Sequence, residues 1–332
     1  MKALVYTGPH AMELQDVEQP RPKSDGDVLI KVEACGICGS DMHAWHGHDE
    51  RRPAPLILGH EAAGTIVEGP RAGTRVTVNP LVTCGVCEAC INGRENLCSR
   101  RQIISMPPRE GAFAQYLMMP ERNLVEVPDG ITPETAALAE PLACGWHAVR
   151  LAEAALYTPL QKAKVLILGG GAIGLGVALA LARKAPGEIW IAETNERRHG
   201  SLSKAGDFKF FNPATGNGLQ PGSADLVIDA VGFAATRAAA CDAVCSGGVI
   251  VHIGLGDNAG GLDVRRMTLQ EITFIGTYTY SAADFRDTAL ALFHGGLGSV
   301  DWVDIRSLSD GPAAFHEINN GLATAPKIIL KP

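Results

Sequence analysis

Four cysteines lie close together in one segment of the chain. The segment TCGVCEACINGRENLC follows the spacing C-x2-C-x2-C-x7-C, with the cysteines at Cys84, Cys87, Cys90 and Cys98. Four thiolates can complete a tetrahedral shell around one zinc ion and leave no position for a substrate, which is typical of a structural site. Redox-active thiols or an iron–sulfur cluster are the alternatives, but the bacterial cluster motif has its fourth cysteine sooner and followed by proline. The spacing therefore favours structural zinc in a lobe over residues 80–100.

A second set of residues with metal-binding side chains is spread along the chain. Cys38 lies in ACGICGSDMH, His60 and Glu61 lie in LILGHEAAG, and Glu140 lies in LAEPLACGWHAV. The glycines around Cys38 can expose its sulfur, and Pro141 can begin a helix as its first residue. Each residue alone has a plainer interpretation as a core or surface group. Together, a set of three donors drawn from sulfur, nitrogen and oxygen would leave the fourth coordination position of a tetrahedral ion open, which is typical of catalytic zinc.

A glycine-rich turn follows an apolar segment and opens another. In KVLILGGGAIGLGVALALARK the spacing G-x-G-x-x-G is formed by Gly169, Gly171 and Gly174, with Ala172 and Ile173 between the last two. This spacing between a strand and a helix is the dinucleotide fingerprint, in which the helix N-terminus receives the pyrophosphate. A turn used only for packing is the alternative, but the flanking segments favour cofactor binding.

An acidic residue follows at the distance that this fingerprint requires. Glu193 comes 19 residues after Gly174, at the end of the next predicted strand. Its carboxylate can accept hydrogen bonds from the adenosine ribose and would repel a 2′-phosphate, which favours NAD over NADP. The nearby Arg197 or Arg198 could instead recruit a phosphate. The nicotinamide is expected near the strand ends at Val231 and Gly254, where parallel sheets bind ligands.

Two regions with different sequence patterns must position these groups. Residues 1–130 contain short β-branched or alternating segments separated by Gly, Pro and Asp, which predicts a β-rich region. From about residue 140, apolar strands alternate with helical segments, which predicts a doubly wound parallel α/β sheet. The predicted strands of this sheet are Lys164–Leu168, Glu188–Ala192, Asp225–Val231, Val249–Ile253 and Thr273–Gly276. The predicted helices between and after them are Ala172–Lys184, Arg197–Ala205, Ala234–Cys245, Ala282–Phe293 and Pro312–Leu322.

Composition excludes several classes of protein. The 332 residues suggest two domains, and 46% hydrophobic with 20% charged residues is typical of a globular chain. A net charge of −7 argues against nucleic acid or an acidic membrane surface as a partner. We find neither a signal peptide nor an apolar run of the ~18 residues that span a membrane. We therefore expect a cytoplasmic location. The odd number of cysteines, nine, argues against a disulfide framework.

The sequence resembles the zinc-containing medium-chain alcohol and polyol dehydrogenases, most closely their sorbitol dehydrogenase-like branch. The matching segments occur in the family's order over nearly the whole chain: VEACGICGSDMHAWHG, APLILGHEAAGTIVEG, TRVTVNPLVTCGVCEACINGRENLC, EPLACGWHAV, VLILGGGAIGLG and VIDAVG. The resemblance implies a GroES-like catalytic domain over 1–139 and 283–332, and a Rossmann-type dinucleotide-binding domain over 140–282. It also implies a homotetramer or homodimer.

The resemblance further implies roles for particular residues. Catalytic zinc would be bound by Cys38 and His60, with either Glu61 or Glu140 as the carboxylate ligand. A proton relay would run from the substrate hydroxyl through Ser40 and the cofactor ribose to His43. Two segments are shorter than the family usually has, EGPRAGT at 68–74 and the segment 212–224, which is too short for a crossover helix.

The predicted activity is hydride transfer from a secondary alcohol of a polyol or sugar alcohol to NAD, with two zinc ions per chain. A glutamate ligand makes the metal site harder than a second cysteine would and favours substrates with vicinal hydroxyls. A diol or amino-alcohol dehydrogenase on the same scaffold is the alternative within the enzymes. A dinucleotide-binding protein without turnover is the alternative from another class, but it would need a lost ligand, and the sequence retains them all.

Overall fold

The computed structural model describes residues 1–22, 24, 26–216 and 218–332. The strands, in chain order, are β1 (Lys2–Gly8), β2 (Ala11–Asp16), β3 (Asp27–Gly36), β4 (Leu56–Ile57), β5 (Glu61–Ile66), β6 (Arg75–Val78), β7 (Leu81–Val82), β8 (Gln102–Ile103), β9 (Tyr116–Pro120), β10 (Leu124–Glu126), β11 (Lys164–Leu168), β12 (Glu188–Ala192), β13 (Lys209–Phe211), β14 (Ala224–Asp229), β15 (Val244–His252), β16 (Thr273–Gly276), β17 (Val303–Ser307) and β18 (Lys327–Lys331).

The α-helices are α1 (Gly39–Trp45), α2 (Glu88–Ile91), α3 (Pro133–Ala137), α4 (Ala139–Ala155), α5 (Ala172–Ala182), α6 (His199–Ala205), α7 (Ala234–Ala243), α8 (Val264–Leu269), α9 (Ala282–Phe293) and α10 (Gly311–Asn319). Short 3-10 turns cover Glu95–Leu97, Glu121–Asn123, Leu160–Lys162, Glu196–Arg198, Pro213–Thr215 and Leu308–Asp310. None of the described helices is both long enough and apolar enough to cross a membrane.

The chain divides into two compact units. The first comprises Met1–Pro141, Ser281–Gly295 and Val303–Pro332, and the second comprises Leu142–Tyr280 and Gly296–Trp302. The sequence placed its divisions at 139/140 and 282/283 and kept residues 296–302 with the catalytic domain.

The first unit is built on antiparallel β-structure. Its main sheet has the strand order β10-β6-β5-β3-β18-β17, with β9 also paired to β3, and a smaller sheet has the order β2-β1-β4. One apolar core lies beneath these sheets, and Trp45, Phe113 and Phe315 are among its largest buried side chains. Strand β18 joins the end of the chain to β3, with Ile329 opposite Gly36 and Leu330 opposite Cys35. This pairing carries Lys327, at the start of β18, towards the end of β3.

The second unit contains a six-stranded sheet in the order β13-β12-β11-β14-β15-β16. All five strand pairings in it are parallel, and the order is that of the Rossmann fold. The predicted doubly wound parallel sheet is therefore confirmed. Between β13 and β14 the described residues form only the 3-10 turn Pro213–Thr215, in place of a crossover helix, while Asn217 of this predicted short segment lies outside the described residues.

Several predicted boundaries were wrong. Helix α4 begins at Ala139, so Pro141 is its third residue and Glu140 lies inside its first turn. Strand β14 ends at Asp229 because that side chain accepts hydrogen bonds from the backbone of Val231 and Gly232 and so begins a turn. The predicted helix Ala234–Cys245 ends at Ala243, where β15 begins. Pairing with β14 outweighs local helix propensity there.

Candidate active site and metal centres

The four cysteines of the lobe converge on one point. Helix α2 begins directly after Cys87, and the hairpin of β7 and β8 closes the base of the lobe. The sulfur of Cys84 lies 3.8 Å from that of Cys90 and 3.6 Å from that of Cys98, and the Cys87 and Cys90 sulfurs are 3.5 Å apart. Zinc–sulfur bonds of about 2.3 Å in a tetrahedron place sulfurs roughly 3.8 Å apart. The four thiols therefore fit one zinc ion with a closed shell.

Backbone hydrogen bonds outweigh burial and lower the pKa of two of these thiols, Cys84 and Cys98. Hydrogen bonds from the backbone of Val86 and Cys87 lower the pKa of Cys84 to about 6, so this residue is a thiolate at neutral pH. Burial and the neighbouring thiols raise the pKa of Cys90 to about 11. A bound zinc ion would favour the thiolate form of all four, because metal binding is coupled to loss of the thiol protons.

A second group lies within the first unit. Cys38 caps the N-terminus of α1, His60 lies at the last position before β5, and Glu61 is the first residue of β5. One sulfur, one ring nitrogen and one carboxylate oxygen from these residues lie within 4.8 Å of one another. Three different donors with room for a fourth ligand are the set expected of catalytic zinc.

Two observations test whether this group fits a cation. The Glu61 side chain is completely buried, and its Oε2 has no hydrogen-bond partner in the part of the chain that the structure describes. A buried carboxylate oxygen without a partner is costly, and a metal ion would satisfy it. Burial alone would lower the pKa of His60, but the charges of Asp41 and Cys38 raise it well above its ordinary value. The surroundings that favour a protonated imidazole also favour a metal cation.

The imidazole of His60 is oriented by a second carboxylate that the sequence analysis missed. Asp41 is fully buried, and its Oδ1 lies 3.5 Å from His60 Nδ1. It accepts hydrogen bonds from the backbone of Cys38, at 2.9 Å, and of Gly59, at 3.3 Å. A carboxylate behind a ligating histidine fixes its ring and raises its basicity. The signal was readable, because an aspartate three residues after the helix cap is a capping position.

Glu140 is buried, but within the described chain it does not belong to the group of Cys38, His60 and Glu61, whose donor atoms lie within 4.8 Å of one another. Its charge acts on Lys327, a buried lysine that sequence reasoning also missed. Lys327 Nζ donates to Glu61 Oε1 at 2.6 Å. No sequence signal could have indicated this pair, because 266 residues separate its members.

The predicted relay residues lie on one helix. Ser40 and His43 are three positions apart in α1 and therefore share a face. Ser40 Oγ lies 3.5 Å from His60 Nε2, which places this hydroxyl beside the metal-binding group. Arg52, on the loop that follows α1, is buried, and it pairs with Asp49 and donates to the Ser105 carbonyl.

The glycine-rich turn has the geometry of a nucleotide cradle. Gly169 adopts a φ of +95°, and a β-carbon at Gly174 would overlap the Gly169 carbonyl. Helix α5 begins with Ala172, directly after Gly171, so Ile173 lies in its first turn, where backbone N–H groups can receive phosphate. Val231 lies beside Gly169 and packs its backbone against Gly254. The structure thus brings the turn and the two strand ends together.

Glu193 closes this cradle. It follows β12, its side chain is buried, and its two oxygens accept hydrogen bonds from the backbone of Gly170, at 2.9 Å, and of Asn195, at 2.7 Å. Arg198 Nη1 lies 3.6 Å from the same carboxylate. Glu193 and Arg198 therefore both stand at the turn, with the carboxylate held against it.

Family profiles of known proteins match segments in both units of the chain. The family profile described as "Alcohol dehydrogenase GroES-like domain" matches residues 24–129, and the one described as "Zinc-binding dehydrogenase" matches residues 172–295. D-xylulose reductase A of Aspergillus oryzae is 30% identical over 96% of this chain and 94% of that protein. The chain belongs to the zinc-containing medium-chain alcohol and polyol dehydrogenases.

Other known proteins resemble this dehydrogenase to a similar degree. Sorbitol dehydrogenase of Bacillus subtilis is 34% identical over 85% of this chain and 83% of that protein. A Sinorhizobium meliloti crystal structure bound to NADP is 28% identical, with a TM-score of 0.88 over 100% of this chain and 99% of that one. The GroES-like and Rossmann-type fold classes are therefore confirmed. This dehydrogenase is an oxidoreductase that depends on zinc and a nicotinamide cofactor and acts on a small alcohol.

Proposed function

We propose that this dehydrogenase oxidises a secondary hydroxyl of a polyol or sugar alcohol, with NAD as the hydride acceptor. The observation that carries the proposal is the group of Cys38, His60 and Glu61, whose three donor atoms lie within 4.8 Å of one another. A carboxylate in place of a second thiolate makes the site harder and suits neighbouring hydroxyl groups. The names of two relatives support this choice: that of the Aspergillus oryzae protein contains a keto sugar, D-xylulose, and that of the Bacillus subtilis protein contains a polyol, sorbitol.

The chain's own residues have distinct parts in this reaction. Zinc held by Cys38, His60 and a glutamate would act as a Lewis acid on the reacting oxygen, and the nicotinamide would take the hydride. Asp41 holds the His60 ring in register. Ser40 and His43 conduct the hydroxyl proton away along one face of α1. Gly169, Gly171 and Gly174 let the backbone approach the pyrophosphate.

A substrate panel tests the proposed reaction. NADH formation is measured against polyols, vicinal diols, amino alcohols and simple primary alcohols, at equal concentrations. The proposal predicts that a polyol or sugar alcohol gives the highest kcat/KM. A clear preference for a diol or an amino alcohol would overturn the substrate class, and NAD binding without turnover of any alcohol would overturn the enzyme function. A cytoplasmic location, two zinc ions per chain and a homodimer or homotetramer remain predictions from the sequence.

The choice of NAD depends on Glu193. Because its carboxylate is buried and held at the turn, it would stand close to a 2′-phosphate and repel it. We expect Glu193→Ala to shift the ratio of kcat/KM for NAD to that for NADP by about tenfold or more towards NADP, which corresponds to about 1.4 kcal/mol. Loss of the carboxylate would also free Arg198 to bind the phosphate.

The control is Glu196→Ala, which removes a carboxylate from the following 3-10 turn, where it accepts a hydrogen bond from Asn212. The cofactor ratio of this variant should match that of the parent. A Glu193→Ala enzyme with an unchanged ratio would show that Glu193 does not select the cofactor.

The relay predicts a dependence on pH. Burial, reinforced by His46, His48 and Arg52 and opposed by Asp49, lowers the pKa of His43 below its ordinary value of 6.5. At neutral pH the ring is therefore neutral and can accept a proton, and kcat/KM should fall as the pH decreases through this lowered pKa. His43→Gln should lower kcat/KM at neutral pH by roughly a hundredfold and remove this acidic limb.

His316→Gln is a suitable control, since this histidine lies on α10 and packs on Trp45 rather than in the proposed relay. Its profile should keep the parent's acidic limb. If His43→Gln kept both the limb and the rate, the proton would take another path.

A further inference from the structure

A buried ammonium group lies behind the predicted catalytic metal centre. Lys327 is only 4% exposed, and its Nζ donates to Glu61 Oε1 at 2.6 Å and to the Ile37 carbonyl at 2.8 Å. Lysine is almost never this buried unless it is paired. Placing such a cation next to a metal site is costly, so its presence calls for a reason beyond packing.

The contact with Lys327 uses only one of the two oxygens of Glu61. The other, Oε2, is buried and has no hydrogen-bond partner within the described residues. Space for it exists because residue 36 is a glycine, and a β-carbon there would overlap Oε2. One oxygen is thus held by the lysine, while the other is left to serve as a ligand.

The charges around the centre also require a cation besides the metal. A doubly charged ion with the thiolate of Cys38 and the buried carboxylates of Asp41, Glu61 and Glu140 would leave an excess of negative charge in a buried place. The ammonium of Lys327 offsets part of it.

We propose that Lys327 is a positioning residue for the catalytic metal: it fixes Glu61 through Oε1, presents Oε2 to the ion and so makes Glu61, rather than Glu140, the carboxylate ligand. This inference rests on the metal centre of the proposed function. Residues behind metal ligands commonly tune metal affinity by 10–100-fold. Sheet pairing of β18 with β3 supplies the geometry, and the lysine touches neither substrate nor cofactor in this account.

The test removes the ammonium and measures the metal rather than turnover. The full-length protein is stripped of its catalytic metal with a chelator and titrated with Co²⁺, whose visible absorption reports the ligand geometry. Lys327→Met should bind Co²⁺ roughly 10–100-fold more weakly and change the shape of the spectrum. Lys327→Arg, which keeps a charge and donors, should recover most of the affinity. Unchanged affinity and spectrum in Lys327→Met would overturn the proposal.

The matched control is Lys331→Met, on the same strand. Lys331 pairs with Glu134 away from the metal-binding group, so its loss removes an ion pair without touching Glu61. Affinity and spectrum should remain those of the parent. A cooperative thermal transition near that of the parent shows in every variant that the chain is folded.

A double variant covers the case in which Lys327→Met does not fold. Lys327→Met with Glu61→Gln leaves neither member of the pair charged, which proteins often tolerate. If the lysine acts through Glu61, the double variant should bind Co²⁺ as weakly as Glu61→Gln alone. A further loss would show that Lys327 acts independently of Glu61 and would overturn the proposal. A parent protein that binds no metal here would instead refute the proposed function itself.

Discussion

Replacing Cys38 by serine is expected to lower kcat/KM for the best alcohol by about a thousandfold or more and to remove one of the two predicted zinc ions. Cys38 supplies the thiolate of the metal-binding group, and a Lewis acid at the reacting oxygen contributes several kcal/mol. A loss of about 4 kcal/mol corresponds to about a thousandfold in rate. Initial rates of NADH formation and zinc content per chain measure both effects on the same preparation.

Cys245→Ser is the control, because this thiol is half-buried in the second unit and belongs to neither metal-binding group. Its rate and zinc content should equal those of the parent. NAD binding should survive in both variants, since the glycine-rich turn is unchanged. Full activity in Cys38→Ser would remove this residue from the chemistry and with it the proposed metal centre.

Replacing Cys90 by serine is expected to cost about 4 kcal/mol of stability, near the upper end for a single substitution. The reason is that neighbouring sulfurs of the lobe lie 3.5–3.8 Å from one another, which fits one shared ion. A structural ion contributes its binding energy to folding. For a chain of this size the thermal midpoint should fall by roughly 6 °C. Protease cleavage within residues 80–100 should increase as well.

Calorimetry and metal analysis of the same sample give the result directly. The Cys90→Ser protein should keep the ion at Cys38 and His60 while it loses the other. The Cys245→Ser protein should melt with the parent. A Cys90→Ser variant that lacks one zinc ion and yet melts at the parent temperature would contradict a structural role for the lobe.

The features that the sequence predicted best are local ones. The four cysteines span 15 residues, so their spacing alone suggests one ion, and their sulfurs do meet. The glycine-rich turn was also readable, because strand, turn and helix follow one another without interruption. Both features depend on residues that are close together in the sequence, so they can be predicted without knowledge of the rest of the fold.

The dispersed centre could be predicted only in part. Cys38 and His60 were identified because each lies in a motif of its own, but the choice between Glu61 and Glu140 could not be made. That choice depends on Lys327, which reaches Glu61 only through the pairing of β18 with β3. Nothing within ten residues of either group indicates the pair, because tertiary structure creates it.

The predicted ends of strands and helices were wrong where side-chain hydrogen bonds or sheet pairing outweigh local propensity. The strand predicted to run to Val231 ends at Asp229, whose carboxylate binds the next backbone N–H groups. The helix predicted to run to Cys245 gives way to β15, which pairs with β14 from Val244. Neither error displaced a predicted site residue from the edge of the sheet, because Val231 and Gly254 still lie just beyond the ends of β14 and β15.

Diffraction from crystals of the zinc-loaded protein at the zinc absorption edge shows where the chain binds zinc. We expect two anomalous peaks per chain. One should lie among the sulfurs of Cys84, Cys87, Cys90 and Cys98, and the other should lie about 2.3 Å from the Cys38 sulfur and about 2.0–2.1 Å from a nitrogen of His60, with a glutamate oxygen completing the protein ligands. A single peak at the four cysteines, with none between Cys38 and His60, would contradict this expectation.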